Sequence, residues 1–372
     1  MKKKVIHLIG HLKTGGAENL ITDYALNIDN EKFEILIVIL GNKKDTFNER
    51  LLKENNVRMI FLGEKQLFSQ PKNLIKRFLN KIHRYNLFRR VVKKEKPNII
   101  HSHLMVIKYL IPLKTKNIKL YYTIHSEVDK LFGKRRYLFK GITSFCIKRK
   151  GMIPIALHSR MQTEMNNLFN IDNSIVLKNP IDMERFSPLK YKNVKGTLEL
   201  DKDSFVIGHV GRFVEAKNHF FLIEVFYAIK KIRSNAHLLL IGTGELENEV
   251  KKYVTKLKLD DSVTFLGNRY DIPELMSAMD VFVFPSIREG FGNVLIEAQT
   301  MGLRCVVSDK VPSDAFITNL VTSISLNTPI EVWRDTILDN HKKINVIGNI
   351  EEHDIKNIIK QLEELYESNY GS

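Results

Sequence analysis

Glu289 and Glu297, with seven residues between them, stand on either side of a bend carrying Gly290 and Gly292. Before the bend, Val281–Phe284 form an apolar run that Pro285 and Ser286 stop. After it, Val294, Leu295, Ala298 and Met301 recur at helical spacing, so residues 280–309 read as strand, loop, helix, strand. A helix that begins near Asn293 turns its first N–H groups and its positive dipole end toward the loop, where an anion is favoured. The backbone of Gly292, Asn293 and Val294 would then hold a phosphate, while each glutamate accepts hydrogen bonds from the hydroxyls of a flanking ring. That outline fits a nucleotide-sugar. Spacing alone equally allows Glu289 to be a loop-surface charge and Glu297 a solvated helix residue.

Other residue types point the same way. Gly211 and Arg212 close the run Phe205–Val210, and Lys217 follows within one turn. An arginine that binds two oxygens at once and a lysine that acts as a point charge suit the two phosphates of a diphosphate. Gly15 and Gly16, in Thr14–Glu18, would let backbone approach a ligand, and equally make a plain strand-to-helix turn. His101, His103 and His125 lie at the ends of apolar runs, where open parallel sheets gather ligands. No third ligand with supporting spacing joins the His-x-His pair, so no metal site is assigned. His125 is singled out because it ends its run. Gly242-Thr-Gly-Glu lacks the third glycine of a dinucleotide fingerprint, since Glu247 stands there, and Asp201-Lys-Asp203 precedes a strand and reads as linker.

These residues need elements to carry them. At 372 residues the chain exceeds one ordinary core, and strand, helix, strand recurs throughout, which predicts parallel sheets with helices on both faces. The polar stretch Pro188–Lys202 breaks the alternation and marks the expected boundary, giving domains 1–187 and 188–353, with a terminal helix in 354–372. Cys146 and Cys305 make no disulfide framework, which implies a reducing compartment. The basic start has too short an apolar run for a signal peptide, and no run of about 18 apolar residues spans a membrane.

The net charge of +16 is concentrated. Between Glu64 and Lys150 there are 23 Lys and Arg against 4 Asp and Glu, a local +19. Residues 72–94 set Leu74, Ile75, Phe78, Leu79 and Ile82 among Lys72, Lys76, Arg77, Lys81 and Arg84. Residues 130–150 set Leu131, Phe132, Tyr137, Leu138 and Phe139 among Lys134, Arg135, Arg136 and Lys140. Such helices can lie on an anionic bilayer, and they can equally turn their apolar stripes to a core. No nucleic-acid motif accompanies the charge, so no nucleic-acid partner is expected.

In order along the chain, Gly15-Gly16-Ala17-Glu18, Thr123-x-His125, Lys178-Asn-Pro-Ile-Asp182, Gly211-Arg212 with Lys217, Gly242-x-Gly244 and Glu289-Gly-Phe-Gly-x4-Glu297-Ala298 resemble the motifs of retaining glycosyltransferases of the GT-B fold. The chain is most similar to the group 1 glycosyltransferases of bacterial capsule and exopolysaccharide synthesis. The resemblance implies two Rossmann-like doubly wound domains facing a cleft, with the last helix crossing back onto the first. It implies Glu297 on the ribose, Arg212 and Lys217 on the diphosphate, Glu289 on the transferred sugar, the Asn268–Arg269 backbone on the base, Gly16 near the diphosphate and His125 near the reacting carbon. Uridine diphosphate is the implied carrier, a glycan or undecaprenyl-linked glycan the implied acceptor, and no metal is required. With the basic region 64–150, a place at the cytoplasmic face of the cell membrane is expected. Asn218 and Asn179-Pro180 depart from the family pattern. Two other readings stay open: a non-catalytic partner subunit that keeps the fold, and a polyanion-binding protein.

Overall fold

Runs of Val, Ile and Leu too continuous for a one-sided sheet are buried here on both faces, as parallel sheets require. The computed structural model describes residues 2–13, 15–68, 73–125, 127–132, 137–339 and 346–368. Thr14, Lys72, Ser126, Lys134, Arg135 and Arg136 lie outside the described residues. The chain divides into two compact units, Met1–Pro180 with Ile355–Ser372, and Ile181–Asp354. The stretch expected as the boundary, Pro188–Lys202, belongs to the second unit, where Val194 of the short Val194–Thr197 helix is buried.

The first unit holds seven strands: β1 (Lys3–Ile9), β2 (Phe33–Ile39), β3 (Arg58–Phe61), β4 (Ile99–His103), β5 (Lys119–Thr123), β6 (Ile153–Ala156) and β7 (Ile175–Val176). Their order is β3-β2-β1-β4-β5-β6-β7, all parallel. Alternation along each strand sends Ile6, Leu8 and Ile100 to one face and Val5, Ile9 and Ile99 to the other. The second face is covered by the Gly16–Asn27 helix and by the last helix, Ile355–Glu367, whose Ile355, Ile358, Ile359, Leu362, Leu365 and Tyr366 recur every three or four residues. The last helix therefore belongs to the first unit's core.

The second unit holds β8 (Phe205–Val210), β9 (Ala236–Ile241), β10 (Val263–Gly267), β11 (Val281–Phe284), β12 (Arg304–Ser308) and β13 (Val321–Ile324). Their order, β10-β9-β8-β11-β12-β13, is doubly wound and reverses between β8 and β11. Ligands of such sheets bind beyond the carboxyl ends of the strands at that reversal. The residues following β8 and β11 are those the sequence singled out. Both cysteines are buried and free.

Two basic helices need correction in part. In the Leu74–Glu95 helix, Phe88 and Val92 reach the core, whereas Leu74, Ile75 and Phe78 are 76%, 67% and 59% exposed. Its apolar stripe thus splits, the first turns running clear of the sheet. Around the Tyr137–Lys150 helix, Leu131, Phe132 and Phe139 are buried and face no bilayer, while Tyr137 and Leu138 are exposed. No helix among the described residues is long and apolar enough to cross a membrane.

Candidate functional site

After β11 the chain leaves the sheet at Pro285, and the Ile287 N–H donates to the Ala216 carbonyl at 2.8 Å, which ties this loop to the turn after β8. That tie brings Glu289 to Lys217. The Lys217 Nζ donates to Glu289 Oε1 at 2.6 Å, with 17% and 10% of the two side chains exposed, and sits 4.4 Å from the centre of the Phe284 ring. Burial lowers the Lys217 pKa and Arg212 pushes the same way, while the Glu289 carboxylate opposes both. Arg212 itself is exposed, with no side-chain hydrogen bond or ion pair among the described residues. The three residues expected to meet a diphosphate and a sugar are thus together, but Lys217 and Glu289 are satisfied by each other.

The helix on the far side of the bend runs Asn293–Thr300, so its start agrees with the sequence. Gly292 precedes it at φ 92°, a left-handed conformation that favours glycine, and no side chain caps the helix. The Leu295 N–H returns to the Gly292 carbonyl at 2.8 Å. Behind it, Gln299 fixes the helix by donating to the Leu295 and Ala315 carbonyls and accepting from the Ile317 and Thr318 N–H groups. Glu297 is half-buried, and burial pushes its carboxyl up to about 7 against the pull of Arg185. Arg185 was not singled out by sequence. Its Nη2 donates to the Tyr270 carbonyl at 2.5 Å, which places a cation by both Glu297 and the loop after β10. The only sequence signal for it was the neighbouring Lys178–Asp182 motif.

In that loop the Arg269 side chain is committed to Asp271, with Nε to Oδ1 at 2.8 Å. Gly242 has a packing role: at φ 135° an added Cβ would come within 2.1 Å of the Gly211 carbonyl oxygen. The dinucleotide-like spacing at 242–244 therefore reflects two strand-end loops in contact.

In the first unit the glycine turn has a carboxylate beside it. Gly15 and Gly16 do open the Gly16–Asn27 helix, but the buried Glu18 carboxylate, 2.8 Å from His11 Nδ1, lies where a Cβ on Gly15 would come within 2.5 Å of it. A carboxylate thus stands beside the helix start that was expected to approach a diphosphate. His125 follows β5, half-buried, with Nε2 3.1 Å from His103 Nδ1, and burial lowers it to about 3. It is therefore neutral. His7, His101 and His103, with six ring nitrogens among them, each bring one nitrogen within 4.8 Å of the others, a spacing a metal could use. All six of those nitrogens are engaged in contacts with one another, His125, Thr123 and Tyr366, so the cluster reads as a hydrogen-bonded one. The sequence could show the His-x-His pair but not His7, which strand order brings alongside.

Residues 14–185 match the family model described as Glycosyltransferase Family 4, and residues 191–329 match Glycosyl transferases group 1. Among curated relatives, EpsF of Bacillus subtilis, named as a glycosyltransferase, is 29% identical over 90% of this chain and 87% of its own. The Escherichia coli UDP-Gal:alpha-D-GlcNAc-diphosphoundecaprenol alpha-1,3-galactosyltransferase is 28% identical over 78% of this chain and 76% of its own. CapH of Staphylococcus aureus, a capsular polysaccharide biosynthesis glycosyltransferase, is 24% identical over 98% and 99%. Among solved structures, Anabaena HepE, determined with UDP and glucose, aligns with a TM-score of 0.74 at 20% identity, covering 98% of this chain and 99% of that one.

Proposed function

Because the chain belongs to the group 1 glycosyltransferases of the GT-B fold, acting in polysaccharide biosynthesis, we propose that it transfers a sugar from a uridine diphosphate carrier to a lipid-linked glycan with retention of configuration. The observation that carries this reading is the Lys217–Glu289 pair held by the turn after β8, beside Arg212. When the donor binds, its diphosphate takes over Lys217, and Glu289 turns to the hydroxyls of the sugar. Lys217 exchanges one anion for another and the Glu289 carboxylate exchanges one donor for others, so neither buried group loses its hydrogen bonds.

Breaking the bond between the anomeric carbon and the diphosphate oxygen leaves positive charge on the sugar and negative charge on the departing phosphate. Lys217, Arg212 and the N–H groups at Gly292–Val294 meet that negative charge. The acceptor hydroxyl attacks from the leaving-group side, its oxygen bonds the anomeric carbon, and its proton passes to the departing diphosphate. No protein nucleophile is assigned. Nor is a metal, because these cationic groups suffice for the leaving group. Glu297 accepts from the ribose hydroxyls, and the HepE complex with UDP supports the choice of nucleotide.

A second feature supports a lipid-linked acceptor at an anionic membrane face. A pocket of about 610 Å³ is lined by Arg77, Phe78, Lys81, Arg84, Lys108 and Tyr109. Burial lowers the Lys108 pKa and Lys81 and Arg84 push it the same way, so the cations are crowded where an anion would relieve them. The exposed Leu74, Ile75 and Phe78 belong to the same helix. The Escherichia coli relative is named for a diphosphoundecaprenol acceptor.

The test is a thermal-shift and hydrolysis screen of the purified protein against a panel of nucleotide-sugars. A rise in Tm with uridine diphosphate sugars, and slow release of the sugar from one of them, is expected. No shift and no turnover with any of them would overturn the reading.

A further inference from the structure

Behind His125 lies a line of buried polar side chains that the transfer step leaves unused. On the face of the first sheet covered by the Gly16–Asn27 and Ile355–Glu367 helices, His7 of β1 stands in register with His101 of β4, and His103 with Thr123 of β5. Thr123 Oγ1 lies 2.7 Å from His101 Nε2, and His101 Nδ1 lies 2.7 Å from the Tyr366 hydroxyl. That hydroxyl is 3.4 Å from His7 Nε2, His7 Nδ1 is 3.0 Å from His103 Nε2, and His103 Nδ1 is 3.1 Å from His125 Nε2. Every member except His125 is fully buried.

Burial lowers His7 and His125 to about 3 and His101 and His103 well below their ordinary value, so all four rings are neutral near pH 7. A neutral imidazole has one N–H and one bare nitrogen. If Tyr366 accepted from both His101 and His7, its own buried hydroxyl hydrogen would be left over, so the line runs in one of two senses. If Thr123 donates to His101, each later hydrogen meets an acceptor: His101 donates to Tyr366, Tyr366 to His7, His7 to His103, and His103 to His125. In the opposite sense Thr123 accepts, and its own buried hydroxyl hydrogen is left over, since His101 is its one side-chain partner among the described residues. Buried donors without acceptors are rare because each forfeits its bond to water.

We propose that Thr123 sets the sense of this line and so holds His125 in the tautomer protonated on Nδ1, making it a hydrogen-bond donor to the transferred sugar and not a proton acceptor. The four residues between them are positioning residues, and Tyr366 makes the last helix part of the device. The donor role rests on the transfer reading above; the tautomer does not.

The experiment is nitrogen-15 NMR of histidine-labelled full-length protein, paired with steady-state kinetics on the donor that the screen identifies. Wild-type protein is expected to show His125 protonated on Nδ1. Thr123→Val, nearly the same shape without the hydroxyl, is expected to shift that tautomer and lower kcat by on the order of tenfold, less than outright loss of a donor to a developing charge. KM for the donor stays unchanged, and Thr123→Ser restores both signals. His125 protonated on Nε2 in the wild type overturns the proposal, as does an unmoved tautomer in Thr123→Val. A shifted tautomer with unchanged kcat overturns the donor role. Failure of the transfer reading shows differently, as absence of turnover in the wild type.

Discussion

Lys217 and Glu289 illustrate how a reactive site can be quiet before its substrate arrives. Removing one partner of a pair this enclosed leaves the other charge in poor solvent, which costs about 3 kcal/mol or more. Lys217→Met is therefore expected to lower the unfolding free energy measured by urea titration by that amount, and Lys217→Met with Glu289→Leu to recover most of it. Neither variant should turn over donor. Full activity in the double variant would remove both residues from the mechanism. Glu297 gives a pH signature. Its carboxyl titrates near 7, above the ordinary range, because burial disfavours the charged form. The cost to the folded state is absent at low pH and grows as pH rises from the unfolded value to about 7. A ribose that donates hydrogen bonds needs the ionised form, so affinity for uridine diphosphate should increase between about pH 6 and about pH 8 by calorimetry. In Glu297→Gln that increase should vanish.

At the scale of elements, the Leu74–Glu95 helix shows where periodicity stops being informative. A stripe recurring at three and four is the same pattern whether it meets a core, a bilayer or a partner. The structure separates the two ends of this helix: Phe88 and Val92 are core, and Leu74 to Ile82 are not. Leu131, Phe132 and Phe139 carried the same apolar signal and turned inward, because tertiary neighbours were available to them. The membrane reading consequently narrows to the first turns of this helix with its basic pocket and to the exposed Tyr137 and Leu138. Leu74→Asp with Phe78→Asp should leave Tm nearly unchanged, as exposed substitutions do, yet release the protein from vesicles rich in anionic lipid in co-sedimentation. Retention of the double variant on those vesicles would refute the assignment.

For the whole molecule, what could be read from the chain was whatever short range encodes. Val281–Phe284, the bend at Gly292 and the Asn293–Thr300 helix follow from patterns within twenty residues, and they place Glu289 and Glu297 correctly on loop and helix. Their partners were not legible, because Lys217 meets Glu289 only through the adjacency of β8 and β11. Arg185 reaches Tyr270 across about half of the second unit's sequence for the same reason. The line ending at His125 joins residues from positions 7 to 366, and no periodicity connects those. One further outcome comes from the last helix. During synthesis the first unit reaches the ribosome's exit with one side of its sheet covered by the Gly16–Asn27 helix alone, and it must wait for the entire second unit to emerge before Ile355–Glu367 can complete that cover. The segment made first is thus the one completed last, which leaves a long interval in which exposed oily surface invites chaperones or self-association.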